Sequence, residues 1–137
     1  MVVICHGLGT SFYAFENFST ELVNAGYSVL KYDYYGHGYS KYCGGEDMWV
    51  DYTPDMFVDQ LEDLLEHVEK EEGGKPVAVV AHSTGGIVCT AANDRWSKVV
   101  GSKRGIIPKL VLVAPAFYCK KVSGCSLIYR NCSRFIF

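Results

Sequence analysis

Short apolar runs alternate with longer amphipathic stretches along the chain. Residues 2–5 (VVIC) form a β-branched run closed by His6-Gly7, which predicts a buried strand starting almost at the first residue and leads us to expect a further element upstream. Phe12, Phe15, Phe18, Leu22 and Val23 then recur at three- and four-residue spacing up to Gly26, the pattern of an amphipathic helix with a glycine stop. Residues 27–32 (YSVLKY) predict a second strand, ended by Asp33 and the turn-rich YYGHGYSKYCGG. Thr53-Pro54 supplies a cap and a first-turn proline for a helix whose stripe is Phe57, Val58, Leu61, Leu64, Leu65 and Val68 and whose stop is Gly73-Gly74. Its opposite face carries Asp59, Glu62, Asp63, Glu66 and Glu69 and reads as a solvated surface. Residues 77–81 predict a third strand, 86 to about 96 a third helix, and 109–114 (KLVLVA) a fourth strand before Pro115.

Strands that alternate with helices imply a parallel sheet joined by right-handed crossovers, so the expected class is α/β with about four strands flanked by helices. After Pro115 the alternation fails. FYCKKVSGCSLIYRNCSRFIF carries neither a clean helical stripe nor a bounded strand, although SLIY and RFIF could pair weakly. The division we expect is therefore a core over residues 1–115 and an irregular tail over 116–137, with no internal repeat.

Composition narrows the picture only a little. A chain of 137 residues with 49% hydrophobic content suits one globular domain. Its net charge of −2 hides an asymmetry: residues 1–94 hold all 15 acids and four lysines, about −11, while residues 95–137 hold nine basic residues and no acid, about +9. Two mutually attractive or simply solvated surfaces explain this better than nucleic-acid binding, for which no basic and aromatic interleaving is present. Of the six cysteines, Cys5 and Cys89 lie in apolar runs that suit buried free thiols, and no CxxC pair occurs. Zinc is not expected, and a reducing, cytoplasmic compartment is favoured over secretion. MVVICHGLGT has no charged n-region of a signal peptide, and no run of about 18 apolar residues predicts a membrane span.

Candidate chemistry concentrates in AHSTGG, residues 81–86, between the third strand and the third helix. A serine on a sharp strand-to-helix turn stands with its hydroxyl exposed, and the crowding of that turn demands small residues two before and two after it. Ala81 and Gly85 meet that demand around Ser83. The Thr84 N–H then lies at a helix N-terminus, where it can stabilise an oxyanion. The alternative is that Ser83 is merely an N-cap. HGLG, residues 6–9, ends the first strand, and a glycine-rich loop there can bring a second N–H, that of Leu8, to the same oxyanion. A dinucleotide site built from Gly7-x-Gly9 and Asp33 is the rival, but Phe12 stands where the third glycine belongs, and a phosphate loop lacks its GK[ST] ending.

HGLG, then GYSVLKYDYYGHGYS, then AHSTGG, in this order, resembles the α/β-hydrolase family, in particular its monoglyceride-lipase and serine-aminopeptidase-like branch, across residues 2–115. The resemblance implies a mostly parallel sheet and hydrolysis of carboxylic esters, such as acylglycerols, or sometimes amides through an acyl-enzyme. Ser83 matches the nucleophile, and Leu8 and Thr84 match the oxyanion donors. Asp33, Gly36, His37, Gly38 and Ser40 match a structural loop, and His6 is expected to brace the oxyanion loop. His82 is expected to point away from the nucleophile's hydroxyl. No cofactor and no metal is implied, and the implied partner is a small-molecule ester or lipid.

The chain departs from the family after the elbow. The triad order is Ser, then Asp or Glu, then His, yet no histidine follows His82 and no acid follows Asp94, which falls inside the third helix. His67 on the acidic helix reads as a surface residue. Strands on both flanks are also missing, and open apolar edges invite self-association. We therefore expect a partial, truncated α/β-hydrolase fold. The alternative to an active hydrolase is an inactive fragment that binds or pairs through its edges.

Overall fold

A computed structural model describes residues 1–40, 53–98 and 107–116. In chain order they form β1 (Val2–Cys5), a 3-10 turn (Phe12–Phe15) leading into α1 (Glu16–Asn24), β2 (Val29–Lys31), α2 (Pro54–Glu72), β3 (Ala78–His82), α3 (Thr84–Lys98) and β4 (Leu110–Val113). Every pairing is parallel, in the order β2-β1-β3-β4. The α/β class and its four expected strands are thus observed, with the second strand shortened to three residues. Residues 117–137 of the tail expected over 116–137, with its SLIY and RFIF runs, and Cys43, Cys119, Cys125 and Cys132 lie outside the described residues.

α2 forms where the sequence places its signals. The Thr53 hydroxyl accepts the Met56 N–H at 3.3 Å, Pro54 opens the first turn, and Gly73 ends the helix in a left-handed conformation at φ 65°. Phe57, Val58, Leu61 and Leu65 face inward, joining Val88, Cys89, Ala92 and Trp96 of α3 and Val3, Cys5, Val79 and Ala81 of the sheet in the main core. Cys5 and Cys89 are free and buried. Arg95 on α3 reaches across to Asp55, Asp59 and Glu62 on α2, so charges from the basic and acidic parts of the chain do meet. Hydrogen bonding to Asp59 raises the guanidinium pKa further, but exposed pairs of this kind contribute less than about 1 kcal/mol each.

Topology decides which sheet face each helix covers. The chain steps from β1 outward to β2, then reverses past β1 to β3 and β4. Right-handed crossovers in opposite directions lie on opposite faces, so α1 covers one face while α2 and α3 cover the other. On the α1 face Val2, Ile4 and Val80 are buried under Phe15, Leu22 and Val29. Val111 and Val113 of β4, in register with Val80 and His82, share that face but remain 46% and 39% exposed, because no described element crosses over them. The expected stripe of α1 is also only partly used. Leu22 and Phe15 pack inward, whereas Phe18 and Val23 stay exposed beside β2, where the described sheet ends.

Unequal burial predicts unequal mutational cost. Leu61 is fully enclosed, so Leu61→Ala is expected to lower the unfolding free energy by about 2–5 kcal/mol, whereas Val23→Ala changes it by less than about 0.5 kcal/mol. Urea denaturation followed by circular dichroism measures both.

Candidate active site

Ser83 occupies the single residue between the end of β3 and the start of α3. Its backbone is left-handed, at φ 50°, a conformation that crowds any side chain and persists only where its surroundings enforce it. Three backbone bonds enforce it here. The Ser83 N–H donates to the Val113 carbonyl at 3.0 Å, and the Ser83 carbonyl accepts the N–H groups of Gly86 and Ala116 at 3.0 and 2.9 Å. The end of β4 therefore clamps the turn from both sides.

Small neighbours are required for a reason that can be named atom by atom. A Cβ on Gly85 would lie 2.6 Å from the Cys5 carbonyl oxygen and 2.8 Å from that of His6, both backbone atoms of the β1 terminus. A Cβ on Gly7 would lie 3.0 Å from Ser83 Cβ and 3.0 Å from His82 Nδ1. The loop after β1 thus lies directly on the elbow. Ser83 Oγ makes no hydrogen bond among the described residues, so the hydroxyl does not act as a cap for α3.

The N–H groups of Leu8 and Thr84 also find no acceptor among the described residues. Thr84 is the first residue of α3 and Leu8 follows Gly7, so the two orphan donors flank the serine from the helix terminus and from the β1 loop. The Leu8 side chain is exposed. Such an arrangement can receive an oxygen that gains negative charge beside a serine hydroxyl.

A buried polar cluster supports this loop. Asp33, 4% exposed, accepts the Phe12 N–H at 2.7 Å through Oδ1 and the Tyr39 N–H at 2.9 Å through Oδ2. Its backbone carbonyl accepts the Ser40 hydroxyl at 2.7 Å and the Gln60 side-chain amide at 3.1 Å. Gly36, His37, Gly38 and Ser40 form the turns closed by Ser40 N–H to His37 O and Gly36 N–H to Ser40 O. Asp33 and its loop therefore join the β1 loop to α2. Gln60 and Thr10 were not singled out by sequence, and Phe12 only for its side chain, because backbone donors and loop hydroxyls leave no periodic signal.

Each histidine has a place that can be stated. His6 is 1% exposed, with Nδ1 2.7 Å from the Gly7 carbonyl, and Nε2 accepting the Tyr34 N–H at 3.1 Å and lying 3.6 Å from Asp33 Oδ1. Burial holds its pKa below the ordinary value; the Gly7 carbonyl and Asp33 oppose that shift, and His37 and His82 add to it. His37 Nδ1 lies 3.1 Å from the Tyr35 carbonyl. His82 stands edge-on to Phe15, at 5.8 Å between ring centroids, with a buried Nδ1 that has no hydrogen-bond partner among the described residues. His67 is exposed on α2, and Asp94 on α3 pairs with Lys98 at 2.6 Å. None of these groups is hydrogen-bonded to Ser83.

The chain as a whole is similar to known proteins in sequence and in fold. The family described as serine aminopeptidase, S33 matches residues 1–136. Non-heme chloroperoxidase CPO-A1 of Kitasatospora aureofaciens is 35% identical over 85 residues, which are 62% of this chain and 28% of that protein. Among solved structures, the monoacylglycerol lipase of Paleococcus ferrophilus superposes with a TM-score of 0.63 at 24% identity, covering 83% of this chain and 38% of that one. A methylesterase, MES16, from Arabidopsis superposes with a TM-score of 0.62 at 22% identity, covering 85% and 44%. The chain spans less than half the length of each of these relatives, and the structural likenesses establish a common α/β-hydrolase fold.

Two expected outcomes follow from the packing and the electrostatics. Gly85→Ala forces a Cβ onto two backbone carbonyls, so it is expected to lower stability by about 1–3 kcal/mol in urea denaturation. His6 has a folded pKa below its ordinary 6.5, so the unfolded chain takes up the proton first. The stability advantage of wild type over His6→Asn is therefore expected to be constant above pH 6.5 and to shrink as pH falls below it, which urea midpoints measured across that range will show.

Proposed function

The chain belongs to the serine aminopeptidase S33 family of α/β hydrolases, and on that premise we propose that it carries the nucleophile and oxyanion hole of a serine hydrolase acting on carboxylic esters of the acylglycerol or lipid type. The observation that carries this reading is the left-handed Ser83 between two N–H groups that have no acceptor among the described residues. In the reaction Ser83 Oγ attacks the ester carbonyl carbon and passes its proton to a solvent water as the new C–O bond forms. The carbonyl oxygen, now an oxyanion, accepts the N–H groups of Leu8 and Thr84. The alcohol departs with a proton, and water then attacks the acyl-serine to release the acid and restore the hydroxyl.

Esters are preferred over amides as substrates because an alkoxide is the better leaving group and needs less help from a general acid. No histidine follows His82 and no acid follows Asp94, so this chain does not supply a base in the family's order. A lipid-like substrate is consistent with the lipase superposition, and the free thiols Cys5 and Cys89 support a reducing, cytoplasmic location. No helix among the described residues is long and apolar enough to cross a membrane.

A second reading rests on a separate observation. Val111 and Val113 are exposed on an open sheet face, and β2 and β4 are the outer strands of the described sheet. A chain with such edges can pair with another chain without catalysing anything.

Labelling by a fluorophosphonate probe separates the two. The folded 137-residue chain is expected to react, and Ser83→Ala to abolish the reaction, as read by intact mass. A folded sample that stays unlabelled would sink the hydrolase reading and leave the pairing module.

A further inference from the structure

Three hydrogen-bond donors converge on one carbonyl beside the elbow. The Gly7 oxygen lies 2.7 Å from His6 Nδ1 and accepts the Thr10 hydroxyl at 2.8 Å and the Thr10 N–H at 3.3 Å. The Thr10 hydroxyl also stands 3.5 Å from His6 Nδ1. The ring tautomer follows from the far side of the imidazole. Nε2 accepts the Tyr34 N–H, so in the neutral ring the proton sits on Nδ1 and is donated to Gly7. Burial favours that neutral form.

The Gly7 carbonyl belongs to the same peptide unit as the Leu8 N–H. That unit is planar and trans, so its C=O and N–H point in opposite directions. Pinning the oxygen toward His6 and Thr10 therefore fixes the direction of the Leu8 N–H. Donation into the carbonyl also polarises the amide and strengthens its N–H as a donor.

We propose that His6 and Thr10 are positioning residues that act through the Gly7–Leu8 peptide, aiming and polarising the Leu8 N–H for an oxyanion on Ser83. Neither side chain touches the reacting atoms. The effect of this clamp on reactivity rests on the hydrolase reading above, but the clamp itself does not.

The two ends of His6 can be separated by substitution. An asparagine amide nitrogen overlays Nδ1 and keeps the donor to Gly7, whereas a glutamine terminus reaches the Nε2 position and loses that donor. In the 137-residue chain, Thr10→Val and His6→Gln are each expected to slow fluorophosphonate labelling of Ser83 by about five- to tenfold, and His6→Asn to recover to within about twofold of wild type. Wild-type rates in Thr10→Val, or equal slowing by Asn and Gln, would overturn the clamp. Thr10 is exposed on a loop, so Thr10→Val carries the test even where His6→Gln fails to fold. If wild type is not labelled at all, the nucleophile reading fails alone, and the clamp is read from the Leu8 amide and Gly7 carbonyl resonances in isotope-labelled protein. Both are expected to shift in Thr10→Val and His6→Gln and to return in His6→Asn; unmoved resonances overturn it.

Discussion

The left-handed turn at Ser83 is the constraint on which the rest of the arrangement depends. A non-glycine residue at φ 50° costs on the order of 1–3 kcal/mol, and here the Val113 carbonyl and the Ala116 N–H hold it from β4 while Gly86 holds it from α3. The turn therefore exists only if β3 and β4 are paired in their observed register. It also requires the β1 terminus to approach α3 closely enough that Gly85 has no room for a Cβ. One strained residue thus ties three neighbouring strands and a helix together, and the same strain presents the hydroxyl above the sheet.

The crossover rule accounts for what is left uncovered. Reversal of the chain after β2 sends α2 and α3 to one face, where they enclose a core from Val3 to Trp96, and among the described helices leaves only α1 on the other face. A nine-residue helix reaches Val2, Ile4 and Val80 but not Val111 or Val113. Full burial of a valine contributes about 1.5–3 kcal/mol, more than an exposed ion pair such as Arg95 with Asp55 supplies. Among the described residues, the apolar surface left exposed on β4 therefore lies on the half-covered face.

Most of the fold was legible because each element carried a local signal. The α2 helix had a capping threonine, a first-turn proline, a period near 3.6 and a glycine stop, and it runs Pro54–Glu72 as those signals place it. β1 had a β-branched run, and its bounds coincide with the expected ones. The elbow was legible because crowding restricts residues 81 and 85 to small side chains. The partial exposure of α1 was not legible, since an apolar stripe shows which face could pack but not whether a partner lies opposite. The loop from Asp33 to Ser40 and the brace at His6 were expected from the family resemblance, but the hydrogen bonds that join Asp33 and Gly7 into one cluster were not legible. Its bonds join residues 21 to 28 apart through backbone N–H groups, which every residue has and no pattern marks.

Oxyanion stabilisation and proton transfer are physically separable, and the proposed reading assigns only the first to the described residues. The proposed hole would consist of backbone dipoles fixed by the fold, which are in place before any substrate arrives and need no titrating group. Base catalysis instead requires a mobile proton on a group free to face the serine. His6 fails that condition, because both ring nitrogens are committed to Gly7 and Tyr34 in a site where charging the ring is opposed by burial. His67 lies on the exposed face of α2, and the buried nitrogen of His82 meets Gly7 and has no proton acceptor. A preorganised hole with binding alone retains on the order of 10³–10⁴-fold rate enhancement over water when triad members are absent. On the proposed reading, Ser83 is accordingly positioned by its turn and by two N–H groups, with no hydrogen-bonded base among the described residues to activate it.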